Sequence, residues 1–387
     1  MIPRLLARKV RGYAGRYPVV TVTGPRQSGK TTLCKALFPE KRYLSLEDLD
    51  VRARARDDPR TFLESCLPRG AVLDEIQRVP ELLSYLQTLV DREARPGLFI
   101  LTGSQNFALL DSIAQTLAGR TALATLLPFS CAELYAPSSA APLNRLLYTG
   151  FFPRIHDRKL NPTEALSFYV STYLERDVRA LANVHNLAQF EQFVKLCAGR
   201  TAQALNLSAL GSDCGISHNT ARSWLSVLET SYLVHLVRPH HRNFRKRLVK
   251  APKLYFTDVG LAAYLLDITR ERELATHPLR GALFETFVVS EVVKRQCNAG
   301  MPVRLSYFRD NAGHEVDLFV SDGSRVIPVE IQVGQTVTGD SLKGLAYFAR
   351  LSPASGREGR LVYGGRETYR QRHMTVVSYL AIAQHIP

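Results

Sequence analysis

The sequence predicts an α/β protein whose first third forms a parallel sheet with helices between its strands. Two observations lead to this prediction. Short apolar runs rich in β-branched residues cover 18–23, 70–76 and 97–103. Segments of helical periodicity follow them at 31–38, 80–91 and 107–118. Apolar strands that alternate with helices are typical of a parallel sheet buried on both faces.

Two further regions follow a linker-like stretch, rich in alanine, serine and proline, at 136–142. The middle region is predicted to be mostly helical and contains the outline of a helix-turn-helix. The last region begins with an amphipathic helix and continues into a β-hairpin with its turn at 321–324. We therefore expect three domains, over residues 1–135, 143–275 and 276–387.

The composition is that of an ordinary globular protein, with 45% hydrophobic and 22% charged residues. The charges at the N-terminus are not followed by an apolar run, so no signal peptide is visible. No stretch of about 18 apolar residues could span a bilayer. The six cysteines are scattered without a C-x-x-C pair, which is typical of a reducing compartment. We expect a cytoplasmic protein with no membrane partner.

The net charge of +15 makes polyanionic partners worth considering. Because such a charge can also serve solubility alone, its distribution matters more than its total. The densest basic block lies between Ser231 and Thr257, where seven lysines or arginines occur without an acidic residue.

A phosphate-binding loop of the Walker A pattern, G-x-x-x-x-G-K-T, follows the first predicted strand. Two glycines at its ends let the backbone curl so that successive N–H groups point at phosphate oxygens. Its lysine supplies a positive charge to those oxygens, and the threonine hydroxyl suits Mg²⁺. The predicted nucleotide contacts are Gly24, Pro25, Arg26, Gln27, Ser28, Gly29, Lys30, Thr31 and Thr32. The pattern predicts binding of a nucleoside triphosphate, against the alternative of a glycine-rich turn that happens to contain a lysine.

Acidic and small polar residues end the next two predicted strands. The run Gly70–Gln77 has the Walker B pattern, an apolar strand that ends in two carboxylates. Asp74 would hold Mg²⁺, together with Thr31, and Glu75 would polarise the attacking water. The strand at 97–103 is expected beside it, which would let Ser104 or Gln105 sense the γ-phosphate. A simple strand-ending turn explains those two residues equally well.

Arg120 follows the helical segment at 107–118. It could stabilise phosphate charge as an arginine finger, either in its own chain or in a neighbouring subunit of a homo-oligomer. A surface or salt-bridge arginine is the alternative interpretation.

Six runs together resemble one family of proteins. They are Gly24–Leu33, Leu73–Gln77, Leu101–Ser104, Leu117–Arg120, Leu127–Ser130 and Lys253–Leu261. In this order they resemble the prokaryotic AAA+-type ATPases that combine a P-loop domain, AAA_14, with a C-terminal domain of unknown function, DUF4143. The resemblance implies a P-loop NTPase core that uses ATP and Mg²⁺, followed by winged-helix and nuclease-like modules. It implies no established cellular role.

The predicted helix-turn-helix begins with a short helix that stops at Gly215, and Ser217 can cap the helix after it. That second helix would turn four polar residues to solvent, as a recognition helix does: His218, Asn219, Arg222 and Ser223. A wing at 233–239 and a basic block would then contact DNA phosphates. The block comprises Arg242, Arg245, Lys246, Arg247, Lys250 and Lys253. A lid or a protein-docking module is the alternative.

The last region resembles the PD-(D/E)xK nuclease arrangement, a restriction-endonuclease-like α/β fold. The residues concerned are Glu285 on a helix, Asp317 on one hairpin strand, and Glu330 and Gln332 on the other. Carboxylates in such a site hold a divalent metal, and a lysine two residues further on assists the attacking water. Position 332 is glutamine, which carries no charge for a pentacovalent phosphate. Lys343 is a possible replacement, but an inactive domain kept for binding or assembly is the favoured interpretation.

Three functions therefore stay open. The leading hypothesis is an ATP-hydrolysing switch or motor that couples nucleotide state to its C-terminal modules. The second is a DNA-binding protein in which ATP serves as an ordering ligand, and the third is a metal-dependent nuclease. A protein partner or a homo-oligomer is compatible with all three.

Overall fold

The computed structural model describes residues 2–103, 113, 115–135, 141–173, 184, 186–240, 250–323, 325–352, 359–371 and 373–387. The chain divides into two compact units. The first unit comprises residues 1–128, 230–232 and 297–301. The second unit comprises residues 129–229, 233–296 and 302–387.

Five parallel strands form the sheet of the first unit, in the order β2-β3-β4-β1-β5. They are β1 (Val19–Thr23), β2 (Arg42–Ser45), β3 (Ala71–Asp74), β4 (Phe99–Gly103) and β5 (Thr121–Thr125). The helices are α1 (Ala7–Ala14), α2 (Lys30–Leu37), α3 (Leu49–Asp57), α4 (Pro59–Glu64) and α5 (Leu82–Glu93). The predicted parallel α/β core is thereby confirmed.

Helices cover both faces of this sheet, so alternate side chains of one strand enter two separate cores. In β1, Val19 packs with α4 and α5 on one face. Val20 and Val22 pack with α1 and α2 on the other face. All five residues of β1 are buried, as expected for a central strand of a parallel sheet.

Eight strands form the sheet of the second unit, in the order β12-β13-β11-β10-β9-β8-β6-β7. They are β6 (Val234–Pro239), β7 (Lys253–Phe256), β8 (Leu305–Arg309), β9 (Glu315–Asp322), β10 (Arg325–Gln332), β11 (Arg360–Tyr363), β12 (Tyr369–Gln371) and β13 (Met374–Ser378). Strands β9 and β10 form the predicted hairpin, with Asp322 paired to Arg325. Gly323 supplies a φ of +60° at the turn.

The helices beyond the first unit are mostly short. They are α6 (Cys131–Leu134), α7 (Leu143–Thr149), α8 (Pro153–Arg158), α9 (Pro162–Tyr169), α10 (Leu187–Gly199), α11 (Leu207–Asp213), α12 (His218–Thr230), α13 (Val259–Leu265), α14 (Arg280–Asn298), α15 (Lys343–Leu351) and α16 (Ile382–His385). Helices α11 and α12 occupy the positions of the predicted helix-turn-helix. The Ser217 hydroxyl accepts a hydrogen bond from the Thr220 N–H at 3.1 Å and so caps α12, as the sequence suggests.

The structure differs from the sequence-based division at the middle and last regions, which fall in one compact unit. The reason is a shared sheet. Strand β6 of the middle region pairs antiparallel with β7, and its far end pairs parallel with β8 through Arg238 and Ser306. Because backbone hydrogen bonds join the two regions, we treat them as one structural body.

Two features bear on the cellular environment of the chain. All six cysteines are free thiols, and five of them are buried. In the part of the chain that the structure describes, no helix combines the length and the apolar character needed to cross a membrane.

Two glycines allow a close backbone contact inside the second unit. Gly150, after α7, and Gly260, in α13, lie so near each other that a Cβ on Gly260 would be 2.6 Å from the Gly150 nitrogen. Asp258 fixes this junction, because its carboxylate accepts from the Phe151 N–H at 2.7 Å and from the Leu261 N–H at 3.0 Å. The second contact is also the N-cap of α13.

We expect Gly260→Ala to lower the free energy of unfolding by about 1–3 kcal/mol, because overpacked backbones must separate. Gly281→Ala is the matched control, since a Cβ at that helical position meets no atom within 4 Å. It should change stability by less than about 1 kcal/mol, in the stabilising direction. Urea unfolding of both variants measures the difference. Equal midpoints would contradict the conclusion that the close contact between Gly150 and Gly260 requires glycine at position 260.

Candidate nucleotide site and acidic cluster

The predicted phosphate loop connects β1 to α2 at the carboxyl end of the sheet. Gly24 has a φ of +143°, and a Cβ there would lie 2.1 Å from the Leu126 carbonyl oxygen. Gly29 has a φ of +92° and is the N-cap of α2. Both positions therefore require glycine, the first for space and conformation and the second for conformation. The loop has the curled backbone that the sequence predicts.

Arg4 supports this loop from outside the motif, and sequence reasoning missed it. Its guanidinium donates to the Ser28 carbonyl oxygen at 2.8 Å and to the Leu127 carbonyl oxygen at 2.6 Å. The two hydrogen bonds join residues that are 24 and 123 positions apart in the sequence, so no local sequence pattern predicts them. The Ser28 hydroxyl is fully buried and has no hydrogen-bond partner among the described residues.

Lys30 is buried at the start of α2, with its ammonium turned into the loop. It donates to the carbonyl oxygens of Gly24 at 3.0 Å and of Pro25 at 2.8 Å. Burial lowers the pKa of Lys30 from 10.5 to about 8, although the charges of Glu75 and Asp74 oppose that shift. Because burial disfavours the charged form of Lys30, an anion beside the ammonium would stabilise that charge.

Asp74 is the last residue of β3, and its carboxylate accepts hydrogen bonds from three hydroxyl groups. The Thr31 hydroxyl lies 3.1 and 3.0 Å from its two carboxylate oxygens. Tyr43, on the neighbouring strand β2, donates to the same carboxylate at 2.7 Å, and Thr102 of β4 also donates to it. Burial and this hydrogen bond raise the pKa of Tyr43, so its hydroxyl stays a donor. The structure thus brings Thr31 and Asp74 together and adds Tyr43 and Thr102, which sequence reasoning did not identify.

Glu75 lies one residue further, in the left-handed backbone region with a φ of 59°. Its N–H donates to the Thr102 hydroxyl at 3.3 Å, and Gln77 donates to its carboxylate. Glu75 is thereby held beside Asp74 at the same edge of the sheet. Ser104 and Gln105, the two residues expected to sense the γ-phosphate, lie outside the described residues.

Arg120 lies at the opposite end of the parallel strands from the phosphate loop. Its carbonyl oxygen accepts from the Val19 N–H at the start of β1, whereas the loop follows the end of β1. At about 3.3 Å per residue, the two ends of β1 are roughly 15 Å apart. The Arg120 guanidinium instead binds Asp91 at 2.6 and 2.8 Å. The expectation of a phosphate contact within its own chain does not agree with this position, and only the contact with a neighbouring subunit stays a prediction.

The donors at this edge fit a nucleoside triphosphate with Mg²⁺. The buried Ser28 hydroxyl, which has no hydrogen-bond partner in the part of the chain that the structure describes, and the Lys30 ammonium are suited to phosphate oxygens. The Thr31 hydroxyl and the Asp74 carboxylate are oxygen ligands of the kind that Mg²⁺ prefers. Arg26, half-buried in the same loop, adds positive charge near Lys30.

The three carboxylates of the nuclease-like prediction meet in the second unit, around a lysine that sequence reasoning assigned elsewhere. Lys253 of β7 lies 3.0 Å from Glu285 and 3.8 Å from Asp317. Its ammonium also lies 2.5 Å from Glu315, which precedes Asp317 on the same face of β9. We call Glu285, Glu315, Asp317 and Glu330 the acidic cluster.

Two other residues of that prediction have contacts outside the acidic cluster. Gln332 donates to the Thr336 carbonyl oxygen at 3.5 Å. Lys343, suggested as a replacement for the missing lysine, pairs with Asp340 at 2.8 Å on the surface. No group of three or more histidine, cysteine, aspartate or glutamate side chains in the described ranges is arranged to hold a metal ion.

The predicted DNA-contacting residues fall into three sets, apart from Lys250, which is exposed. His218, Asn219, Arg222 and Ser223 are exposed on α12, as the helical spacing indicates. The opposite face of α12 is buried through Trp224, whose ring meets Phe190 at 5.2 Å and Phe193 at 5.4 Å. Arg242, Arg245, Lys246 and Arg247 lie outside the described residues. Lys253 was wrongly included in the basic block, because it is buried and bound to carboxylates.

Three family models match successive regions of the chain, with bounds close to those of the three regions expected from the sequence. Residues 16–135 match the family model "AAA domain", AAA_14. Residues 141–272 match "Domain of unknown function (DUF8612)", and residues 280–382 match "Domain of unknown function (DUF4143)".

Among solved structures, the Walker-type ATPase paby2304 of Pyrococcus abyssi has a TM-score of 0.46 and 16% identity. That similarity covers 68% of this chain and 96% of that one. AMPPCP-bound DnaA from Aquifex aeolicus has a TM-score of 0.30 and 15% identity, over 58% of this chain and 86% of that one.

Two mycobacterial proteins are similar over most of the chain. Both are named as uncharacterized proteins, Rv2008c of Mycobacterium tuberculosis and Mb2031c of Mycobacterium bovis. Each is 32% identical over 331 residues, which is 84% of this chain and 73% of the relative. With the AAA domain and the DUF4143 region in the order that the sequence indicates, the chain belongs to the family of AAA-domain proteins with a C-terminal DUF4143 region that includes these mycobacterial relatives.

Proposed function

We propose that this AAA-domain protein is a Mg²⁺-dependent ATPase. The observation that supports the proposal most directly is the contact between the Thr31 hydroxyl and the Asp74 carboxylate, at 3.0 and 3.1 Å. Thr31 directly follows Lys30, whose ammonium is buried, and Asp74 directly precedes Glu75. A strand-ending carboxylate beside a phosphate loop has this purpose in phosphoryl-transfer sites.

Each residue of the edge then has a distinct task. Loop N–H groups and Lys30 bind the β- and γ-phosphates, and Arg4 keeps the loop in its curled form through Ser28. Thr31 and Asp74 would hold Mg²⁺, which neutralises phosphate charge when bound. Glu75 accepts a proton from the attacking water, and Gln77 orients its carboxylate. In this proposal the nucleotide state controls the helical and C-terminal regions.

We propose DNA contact as a second function, on a separate observation. The polar face of α12 is exposed, and the short turn and capped start of α12 support its proposed role as the second helix of a helix-turn-helix. Asn219 and Arg222 are side chains that read base edges or bind phosphates in such helices. The antiparallel pair β6 and β7 follows, in the order expected of a wing. A protein-docking role for the same face is the competing outcome of the test below.

The first prediction concerns Lys30 and pH. Because only the ammonium form attracts phosphate and its pKa is about 8 in the nucleotide-free protein, ATP affinity should fall by about tenfold per pH unit above 8. Titration with a fluorescent ATP analogue from pH 7 to 9.5 measures it. Lys30→Arg keeps its charge and should bind weakly but with no further loss over that range. An unchanged wild-type affinity up to pH 9.5 would speak against the assigned role.

The second prediction separates binding from hydrolysis. Glu75→Gln removes the proton acceptor but keeps the shape, so ATP turnover should fall by about 100-fold or more. ATP affinity should stay nearly unchanged, since Glu75 is not a phosphate ligand in this proposal. Glu81→Gln, an exposed glutamate paired with Arg56, is the matched control and should leave turnover intact. Equal turnover in the two variants would remove Glu75 from the mechanism.

The third prediction tests DNA. A gel-shift series should show retention of duplex DNA at low salt that weakens steeply as salt rises. Arg222→Ala should reduce that retention, and Arg158→Ala, an exposed arginine on α8, should not. ATP turnover is measured with and without DNA in parallel. No retention at low salt, with or without ATP, would exclude DNA contact while leaving the ATPase proposal standing.

A further inference from the structure

The acidic cluster of the second unit is an unusual concentration of charge for a protein interior. It joins one helix to three strands of the sheet region, through Glu285 of α14, Lys253 of β7, the β9 pair Glu315 and Asp317, and Glu330 of β10. Four carboxyl groups thus surround a lysine that is 3% exposed. Neither the ATPase proposal nor the DNA proposal uses them.

Lys253 is the positive partner of this cluster. Its ammonium lies within 4 Å of three carboxylates, those of Glu285, Glu315 and Asp317. Burial by itself lowers the pKa of Lys253, but the charges of these three groups outweigh burial, so that pKa lies above its ordinary value. The lysine therefore stays charged, and removing it would leave a group of partly buried carboxylates without a counter-ion.

The carboxylates have further protein partners besides Lys253. Tyr255, fully buried two residues after Lys253, donates to Glu285 at 2.7 Å. The Ile331 N–H donates to Asp317 at 2.8 Å. Glu330 packs against Gly344 of α15, where a Cβ would lie 1.9 Å from its carboxylate oxygen. The three acids that would ligate a metal in a nuclease thus each have a protein partner.

We propose that Lys253 is a built-in cation which takes the place of a divalent metal ion in the acidic cluster. The cluster then holds β7, α14 and β9 together and does not bind metal. This assignment explains why the carboxylates of a nuclease-like site are present although position 332 is glutamine. It also accounts for the absence of a metal-holding group among the described side chains.

A divalent ion at this cluster would have to displace Lys253, because the lysine ammonium already lies within 4 Å of three of the carboxylates.

The test compares the full-length wild-type protein with Lys253→Met, without nucleotide, in the presence of Mn²⁺. We expect the wild type to show no Mn²⁺ binding at this cluster below about 1 mM, by electron paramagnetic resonance of free Mn²⁺. Lys253→Met should melt roughly 10 °C lower, because it leaves buried charges unpaired. Mn²⁺ should restore part of that loss and bind at least tenfold more tightly than to the wild type.

Two controls identify the site. Lys250→Met removes an exposed lysine three residues away and should change neither melting nor Mn²⁺ binding. Adding Asp317→Asn to Lys253→Met should abolish the Mn²⁺ effect. If Lys253→Met folds but gains no affinity for Mn²⁺, the proposal fails.

The wild-type measurement decides the question even if Lys253→Met does not fold. Wild-type Mn²⁺ binding, or Mn²⁺-dependent cleavage of DNA or RNA, that Asp317→Asn removes would overturn the proposal. Such a result would make Lys253 an accessory of a working metal site. Neither outcome depends on whether the first unit hydrolyses ATP.

Discussion

The first unit depends on one carboxylate, that of Asp74, at the end of β3. Two strands and one helix each supply a contact to this point: Tyr43 from β2, Thr102 from β4 and Thr31 from α2. This convergence is possible only because parallel strands end at a common edge, where the order β3-β4-β1 places the acid two strands from the phosphate loop. The position of the nucleotide site is thus a consequence of sheet topology, and the loop sequence adds the chemistry.

Most of the first unit could be predicted from the sequence, and its exceptions share a physical cause. Strands β1, β3 and β4 are apolar because they are covered on both faces, so their composition reveals them. The edge strands β2 and β5 contain exposed or polar positions and give no such signal. Tyr43 and Arg4 act through contacts with residues far away in sequence, and no spacing rule predicts those. The expected phosphate contact of Arg120 within its own chain failed for the same reason, because the sequence did not show at which end of the strands this residue lies.

In the second unit, the sequence identified the acidic residues but not their partner. Glu285, Asp317 and Glu330 stand at spacings typical of a nuclease-like site, and the structure brings them together. Lys253 looked like part of a solvent-exposed basic block because its neighbours along the chain are basic. Its alternation with Tyr255 along β7 puts both side chains on the inner face, next to Glu285. A strand of four residues is too short for the alternation of its side chains to be recognised, so the sequence did not predict that Lys253 is buried.

The left-handed backbone at Glu75 has a consequence for how this chain could evolve. A residue with a side chain in that conformation costs about 1–2 kcal/mol relative to glycine. Selection for stability alone would therefore favour glycine at position 75, and drift would tend to replace the acid whenever its carboxylate became dispensable. In the proposed ATPase, a glutamate at this position exchanges some stability of the fold for activity. In laboratory evolution towards heat resistance, position 75 would be an early place where the two demands conflict.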